Sequence, residues 1–240
     1  MRAKKSLGQN FLRDIKIVER IATAISPLEG EILIEVGPGE GVLTAKLATS
    51  GARVITVELD DRLVPLLEKK FSSYDNVRIV HGNILEVSVE KLVERQRSRF
   101  ENHGTTEAMS GGSDIHPPPH SSPRERGRGN PSAATTVNGK LSPVNSYRVV
   151  GNLPYYITSK IIRMFLELEN PPSEMFFMVQ KEVAERICAE PGEMSILSVA
   201  VQYYADPEIF FDVPASAFEP EPKVESAFVR ITHKMENGKR

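Results

Sequence analysis

The sequence predicts an α/β fold built on a mostly parallel, doubly wound sheet of seven strands. Short apolar runs alternate with amphipathic helical segments along most of the 240 residues, which is the pattern of parallel strands connected by helices. The first of these strands leads through a glycine-rich turn, Gly37–Gly41, into a helix. The last two strands are joined by a proline-rich loop without a helix, so we expect an antiparallel last strand.

Each strand is predicted from a short run of mostly apolar or β-branched residues. The predicted strands are Glu31–Val36, Arg53–Val57, Val77–Val80, Tyr147–Val150, Met175–Val179, Glu208–Val213 and Ala227–Ile231. Parallel strands place their carboxyl ends at one edge of the sheet, and ligands of such sheets bind there. Residues that follow the strands are therefore the candidates for a site.

Each helix is predicted from apolar residues that recur every three or four positions. Asp14 is a good N-cap for the first helix, and Pro27 ends its pattern. The predicted helices are Ile15–Ile25, Val42–Ser50, a helix through Leu63–Leu67, a short helix Val89–Val93, a helix through Ile161–Leu168, Lys181–Ala189 and Met194–Tyr204. In residues 1–13 the apolar residues follow neither helical nor strand spacing, and this segment is interpreted as a basic arm. Residues 14–240 are interpreted as one domain.

The composition is that of a globular protein, with 40% hydrophobic and 26% charged residues. The sequence contains no apolar run of about 18 residues and no apolar signal core after Met1, so we expect a cytoplasmic protein without a membrane span. The net charge of −2 gives no overall attraction to a polyanion, so any nucleic-acid contact must be local. The single cysteine, Cys188, excludes an intramolecular disulfide, and we expect a monomer.

A polar segment at about 95–146 interrupts the domain. It is rich in Gly, Pro, Ser, Thr and Asn, and it cannot bury enough apolar surface to offset its chain entropy, so we expect it to be disordered. The segment has more basic than acidic residues, so it could contact RNA. It could equally be a surface extension without a function. His116 and His120 lack the further partners of a zinc site, and we predict no metal site.

Four strand ends carry residues that are unusual for simple turns: Gly37–Gly41, Glu58, Asn83 and Asn152–Tyr155. Taken alone, Asn-Leu-Pro-Tyr after a strand could be only a turn, because proline fixes φ and ends strand pairing. The four ends should converge on one crevice, and that convergence favours a ligand site.

The glycine turn and Glu58 predict the ligand class. Val42 stands where a dinucleotide-binding turn has its third glycine, which disfavours a nicotinamide or flavin cofactor. Glu58 lies 21 residues after Gly37, where an acidic side chain accepts hydrogen bonds from ribose hydroxyls, although it could also be an exposed strand-end carboxylate. A nucleoside held without phosphates fits S-adenosylmethionine.

The stretch Asn152–Tyr155 then predicts the methyl acceptor. The Asn152 amide oxygen and the Leu153 carbonyl, which Pro154 holds outward, can each accept one N–H of an adenine amine. This would turn the amine lone pair toward the methyl group, so that catalysis rests on positioning and electrostatics without a strong base. Tyr155 would stack on the adenine.

Taken together, these motifs resemble the ribosomal RNA adenine N6-dimethyltransferases. The match is closest to the small-subunit type, which dimethylates two adjacent adenosines near the 3′ end of small-subunit (16S) rRNA during ribosome biogenesis. It covers nearly everything outside residues 95–146 and runs through Lys5–Leu12, Glu35–Gly41, Val57–Asp60, Asn152–Thr158 and Ala217–Val224. The resemblance implies a Rossmann-like class I methyltransferase fold, S-adenosyl-L-methionine as cofactor and an assembling 30S-type particle as partner.

The resemblance also implies the roles of individual residues. The catalytic set is Asn152, Leu153, Pro154, Tyr155 and Phe218, with Tyr155 and Phe218 on either side of the target base. The cofactor set is Gln9, Asn10, Leu12, Gly37, Gly39, Glu58, Leu59, Asn83, Ile84 and Asn152, and the RNA phosphate contacts are Lys4, Lys5 and Lys223.

Three features depart from the family pattern, and one of them is the polar insertion at about 95–146 described above. Asn83 stands where the family usually has Asp, so the acceptor for the cofactor adenine amine has lost its charge and we expect weaker cofactor binding. Only about nine residues follow Ile231, so we expect the C-terminal helical domain to be reduced or absent.

Two alternatives remain open. The large-subunit (23S) rRNA adenine N6-methylases of the macrolide-resistance type share these motifs. A non-catalytic rRNA-binding assembly factor could keep the same fold, although Asn152, Tyr155 and Glu58 argue against lost chemistry.

Overall fold

The computed structural model describes residues 4, 8–101, 136–137, 140–141 and 146–234. The strands, numbered along the chain, are β1 (Phe11–Leu12), β2 (Ile32–Val36), β3 (Arg53–Glu58), β4 (Val77–His81), β5 (Thr136–Val137), β6 (Lys140–Leu141), β7 (Arg148–Asn152), β8 (Glu174–Gln180), β9 (Ala205–Val213), β10 (Phe218–Glu219) and β11 (Ser226–His233). The helices are α1 (Ile15–Ile25), α2 (Val42–Ala48), α3 (Val64–Lys70), α4 (Val89–Glu101), α5 (Thr158–Leu166), α6 (Lys181–Ile187) and α7 (Ile196–Tyr204).

A seven-stranded sheet in the order β4-β3-β2-β7-β8-β11-β9 forms the centre of the fold. The pairs from β4 to β8 are parallel, whereas β11 is antiparallel to both β8 and β9. This confirms the predicted α/β class and the antiparallel last strand, which inserts beside the edge strand β9. The chain runs from β2 outward to β4 and then returns to β7, so the order reverses between β2 and β7. Such a switch point opens a crevice at the carboxyl ends of the strands.

Helices cover both faces of this sheet. One buried cluster joins the strands to α4, α5, α6 and α7, and a second joins them to α1 and α2. Neighbouring strand residues alternate between the clusters, as Leu33 and Ile34 do, because successive side chains point to opposite faces. The doubly wound arrangement predicted from the sequence is therefore present.

The two central strands approach each other closely at the end where the crevice opens. Gly151 of β7 stands opposite Val36 of β2 in the parallel register. A Cβ atom added at Gly151 would lie 2.8 Å from the Val36 carbonyl oxygen, which is backbone and cannot rotate away. Glycine at this position therefore lets β7 deliver Asn152 directly beside the end of β2.

The structure differs from the sequence prediction in helix α4. This helix continues to Glu101, whereas its pattern was expected to end before Arg95. The buried residues of α4 recur at helical spacing and include Val89, Leu92, Val93 and Gln96. The buried face therefore extends about one turn beyond Val93, the last apolar residue of the predicted pattern. Residues 95–101 therefore belong to α4.

Two short strand pairs were also not predicted. The first is β1 with β10, which places Leu12 opposite Phe218 and so joins the N-terminal arm to the proline-rich loop. The second is β5 with β6, inside the segment that was expected to be disordered. The residues between β5 and β6 in the sequence are Asn-Gly, a frequent connection of antiparallel strands and a signal that the composition argument overlooked. The rest of that expectation concerns residues 102–135, 138–139 and 142–145, outside the described residues.

Within the described residues, no helix is long and apolar enough to cross a membrane.

Candidate active site

A cleft opens where β2 and β7 end, at the switch point of the sheet. Every residue predicted to bind a cofactor lies on its wall, together with four of the five predicted catalytic residues. These are Gln9, Asn10, Leu12, Gly37, Gly39, Glu58, Leu59, Asn83, Ile84, Asn152, Leu153, Pro154 and Tyr155. The structure therefore brings together residues that lie up to 146 positions apart in the chain, the separation between Gln9 and Tyr155.

The glycine turn forms the floor of the cleft beside β2. Gly39 has φ +58°, and a Cβ atom there would meet the Phe11 ring at 3.0 Å, so the turn and the N-terminal arm are in contact at this point. Lys70 of α3 donates hydrogen bonds to the carbonyls of Glu40 and Gly41 at 2.8 and 3.1 Å. These contacts fix the backbone of the turn so that it can face a ligand.

Glu58 ends β3 and is 5% exposed. One carboxylate oxygen accepts from the Gly39 N–H at 3.1 Å, and the other accepts from the Asp60 N–H at 2.8 Å. Burial raises the pKa of Glu58, while these backbone hydrogen bonds act in the opposite direction. A carboxylate has about four acceptor positions, so Glu58 can still accept from ligand hydroxyls beside these backbone donors. The reading of Glu58 as an exposed strand-end carboxylate is wrong, since it is buried in the cleft wall.

Asn83 follows β4 and lines the cleft next to buried Ile84. Its Oδ1 accepts from the Leu85 N–H at 3.1 Å, and its Nδ2 donates to the Glu86 carboxylate at 2.9 Å. Both ends of the amide are therefore held by the loop after β4. Leu59, which follows the neighbouring strand β3, is 43% exposed and offers an apolar surface to the cleft.

The N-terminal arm closes one side of the cleft through Gln9. The Gln9 Nε2 donates to Asp60 Oδ2 at 2.9 Å, and Gln9 Oε1 accepts from the Lys4 N–H at 2.7 Å. The Asp60 side chain is fully buried, and Arg62 donates to both of its oxygens. The Arg62 guanidinium holds the pKa of Asp60 well below its usual range, so the acceptor for Gln9 stays charged.

Arg13 anchors the arm at its other end. Its backbone N–H donates to the Ala217 carbonyl at 2.8 Å. Its guanidinium pairs with Glu40 of the glycine turn and with Glu219, at 3.1 Å for the latter. The arm, the glycine turn and the proline-rich loop are therefore tied together by one side chain.

Asn152 stands at the end of β7 with its amide held in one orientation. The Nδ2 group donates to the Asn10 carbonyl at 2.9 Å, which places Oδ1 on the opposite branch of the amide. The next peptide is fixed as well, because the Leu153 N–H donates to the Met178 carbonyl at 3.2 Å. The Pro154 carbonyl accepts from the Ile157 N–H and the Thr158 hydroxyl at 3.1 and 3.2 Å.

Two tyrosines follow this stretch on a 3-10 turn, Tyr155–Ile157. The half-buried Tyr155 lines the cleft, and its phenol oxygen lies 3.0 Å from the hydroxyl oxygen of buried Ser226. Tyr156 is 60% exposed, and its ring lies beside Gly8 of the arm. Both tyrosines line the cleft, and Tyr155 is the less exposed of the two and is held by a hydrogen bond at its phenol.

Phe218 is the predicted site residue that the structure does not bring to the cleft. It is 5% exposed and belongs to the same buried cluster as Met178 and Phe228, which do line the cleft. Strand alternation explains the difference, since β10 directs Phe218 inward and Glu219 outward. A second stacking face for a base is therefore not formed by Phe218 in this conformation.

Glu35 is a cleft residue to which the sequence reasoning gave no role. It is 2% exposed, lies next to the last residue of β2 and accepts a hydrogen bond from the Thr44 hydroxyl at 2.6 Å. Burial raises its pKa to about 7. A charged residue inside the apolar strand Ile-Leu-Ile-Glu-Val was the available signal. Asp60 and Ser226 were missed too, because their partners lie far away in sequence.

The predicted RNA contacts are only partly described. Lys4 and Lys223 are exposed, as a phosphate contact requires, and Lys5 lies outside the described residues. Within the described chain, no group of three or more His, Cys, Asp or Glu side chains is arranged to hold a metal ion, and His116 and His120 lie outside it.

Comparison with known proteins decides the family. A family model described as "Ribosomal RNA adenine dimethylase" matches residues 1–239. The chain belongs to this family. Curated relatives in the family include ribosomal RNA small subunit methyltransferase A of Alkaliphilus oremlandii, 35% identical over 229 residues, which are 95% of this chain and 64% of the relative. The protein of the same name from Listeria monocytogenes is 34% identical, over 97% of this chain and 65% of the relative.

Solved structures agree with this membership. The 23S rRNA methyltransferase ErmE has a TM-score of 0.65 and is 27% identical, covering 95% of this chain and 71% of that protein. A dimethyladenosine transferase from Plasmodium falciparum also has a TM-score of 0.65, covering 93% of this chain and 63% of that protein. At 22% identity, this second likeness concerns the fold alone. The chain spans about 64% of the length of the curated relatives that it matches.

Proposed function

We propose that this family member transfers methyl groups from S-adenosylmethionine to the N6 amine of adenine in ribosomal RNA. The observation that carries the proposal is the orientation of Asn152. Its amide nitrogen is engaged by the Asn10 carbonyl at 2.9 Å, so its oxygen is the end available to an incoming amine.

The cleft residues fit S-adenosylmethionine. Glu58 offers two carboxylate oxygens for ribose hydroxyls, and the amide of Asn83 with the apolar Leu59 and Ile84 suits an adenine ring. A Cβ atom at Gly37 would point toward the Asn152 carbonyl, 3.8 Å away, so a side chain there would narrow the space between donor and acceptor. When bound, the cofactor would supply an electrophilic methyl group on its sulfonium; transfer would break the S–C bond, leave S-adenosylhomocysteine and release one proton from the methylated amine.

The end of the cleft formed by Asn152, Leu153 and Tyr155 would position the target adenine. An adenine amine is a poor nucleophile because its lone pair is delocalised into the ring. Hydrogen bonds from its two N–H groups to Asn152 Oδ1 and the Leu153 carbonyl localise that lone pair and direct it toward the methyl group. Tyr155, held by Ser226, provides a flat face for the base once it has left its own stack.

The substrate that we propose is a pair of adjacent adenosines near the 3′ end of small-subunit rRNA. The names of the curated relatives support it. Exposed Lys4 and Lys223, together with Lys5, would contact RNA phosphates on an assembling small subunit and so position the target without specifying its sequence.

A second candidate substrate is large-subunit rRNA. The likeness to ErmE, which is a 23S rRNA methyltransferase, favours it specifically. A non-catalytic role in small-subunit assembly is the third candidate, but it gives no reason for a carboxylate, an oriented amide and a tyrosine to converge on one cleft.

Labelled methyl transfer to purified, undermethylated small and large ribosomal subunits tests the proposal. We expect label in the small-subunit RNA, with primer-extension stops at two adjacent adenosines. Label in large-subunit RNA alone would establish the second candidate. Normal RNA binding without any transfer from S-adenosylmethionine would establish the non-catalytic role.

A further inference from the structure

The hydroxyl of Ser226 is the hydrogen-bond partner of the Tyr155 phenol, and Ser226 itself does not line the cleft. Ser226 is fully buried and begins β11. Its backbone is paired with Gln180 of β8 on one side and with Val213 of β9 on the other. The hydroxyl therefore sits on one of the best-fixed points near the cleft.

This hydroxyl meets the phenol of Tyr155 at 3.0 Å. Tyr155 is attached to a short 3-10 turn after Pro154, so its backbone alone leaves the ring free to change its χ angles. A hydrogen bond at the far end of the ring restricts that motion. Because Ser226 is closed to solvent, water cannot replace the Tyr155 phenol as the partner of the Ser226 hydroxyl.

We propose that Ser226 is a positioning residue that fixes the plane of the Tyr155 ring for stacking on the target adenine. This inference rests on the proposed function. The base must lie parallel to the Tyr155 ring while its amine reaches Asn152 and Leu153, which precede Tyr155 by three and two residues. A ring that tilts carries the amine away from both acceptors, so Ser226 acts on the reaction through Tyr155.

Two single variants, their double variant and two further substitutions separate the effect of the hydrogen bond from the effect of the ring. Ser226→Ala and Tyr155→Phe each remove the bond and keep the ring, so we expect both to lower kcat for RNA by about fivefold. The double variant should be no slower than either single variant, because the same bond is lost only once. Tyr155→Ala, which removes the stacking face, should be slower than all three, by at least about tenfold relative to wild type. Ser226→Thr restores a hydroxyl on a β-branched residue suited to a strand and should recover most of the rate.

Two further readouts distinguish positioning from loss of folding. The cofactor Kd should stay within about twofold of wild type in Ser226→Ala, because Glu58 and Asn83 are untouched. RNA carrying 2-aminopurine at the target position should show weaker quenching with Ser226→Ala, since the base stacks less well. Ser198→Ala is the matched control, because Ser198 is another fully buried serine, and its hydroxyl accepts from the Ser195 N–H and donates to the Ser195 carbonyl at the start of α7. It should lower the melting temperature without changing kcat or quenching.

The outcomes are separable. If wild-type protein transfers methyl groups and Ser226→Ala matches it in kcat and quenching, the role of Ser226 is refuted and the proposed function stands. Additive losses in the double variant would also refute it. If wild-type protein binds RNA but transfers no methyl group to either subunit, the proposed function fails and the role of Ser226 fails with it.

Discussion

The side-chain amide of Asn152 and the backbone carbonyl of Asn10 share a hydrogen bond of 2.9 Å although 142 residues separate them in the chain. The bond joins the end of the central strand β7 to the N-terminal arm. The arm is itself held by Asp60 through Gln9 and by Glu40 through Arg13. The orientation of the residue at the centre of the proposed chemistry therefore depends on a segment that also closes the cofactor side of the cleft.

Asn152→Ala should abolish methyl transfer while leaving the protein folded. The variant loses the acceptor for the target amine, and the half-buried position tolerates a smaller side chain. Asn152→Asp should be nearly as inactive, because a carboxylate cannot donate to the Asn10 carbonyl and is repelled by it. Single-turnover rates with labelled cofactor measure both, and melting curves check the fold. Near-normal turnover of Asn152→Ala would refute the assigned role.

Asp60→Asn should weaken cofactor binding by about fivefold to tenfold. The amide can still accept from Gln9, but the loss of charge weakens the bonds to Gln9 and Arg62 together and so loosens the arm. Calorimetric titration with S-adenosylhomocysteine measures the change. Asp61→Asn is the control, because Asp61 is the exposed neighbour of Asp60. Equal affinities in the two variants would show that the arm does not depend on Asp60.

Much of the site could be predicted because its signals are local. A strand followed by glycines, an acidic residue one strand later and a polar stretch after Val150 each lie within a few consecutive residues, and the parallel sheet brings their ends together. The family resemblance supplied Gln9, Asn10 and Leu12, which local pattern alone did not.

The remaining features depend on contacts between distant segments. The bond between Gln9 and Asp60 spans 51 residues, and the bond between Tyr155 and Ser226 spans 71. Such pairs produce no repeating pattern in the sequence, because each partner is a single polar residue that no local motif marks. Phe218 illustrates the same limit, since its direction is set by the pairing of β10 with β1 and not by its neighbours.

Asn83→Asp should tighten cofactor binding. The full increase in affinity should appear only when the charge of Glu86 is removed as well, by Glu86→Gln. A carboxylate is a stronger acceptor for the adenine amine than an amide, and Leu85 can still donate to it. The Glu86 carboxylate, however, now accepts from Asn83 Nδ2 at 2.9 Å and would face a like charge after the substitution. We therefore expect Asn83→Asp with Glu86→Gln to bind about threefold to tenfold tighter than Glu86→Gln alone. No difference between these two variants in calorimetry would contradict the assigned contact.

Glu35 should make the cofactor-free protein less stable as pH rises through the neutral range. Its pKa is about 7 in the folded protein, against an ordinary value of 4.5, because burial disfavours its charged form. Below pH 4.5 both folded and unfolded chains hold the proton. Between pH 4.5 and about pH 7 only the folded chain holds this proton, so the free energy of unfolding falls as pH rises. Above about pH 7 the free energy of unfolding has fallen by its full amount, roughly 3 kcal/mol.

Glu35→Gln removes this titration and keeps an oxygen for the Thr44 hydroxyl. Relative to wild type, the variant should gain about 2 kcal/mol of unfolding free energy between pH 5.5 and pH 8 in urea titrations. Other titrating groups cancel in this comparison, because they are common to both proteins. Glu68→Gln, at an exposed position on α3, should show no such gain. A flat difference between Glu35→Gln and wild type across this range would mean that Glu35 is already charged in the folded protein, with Lys70 compensating its burial.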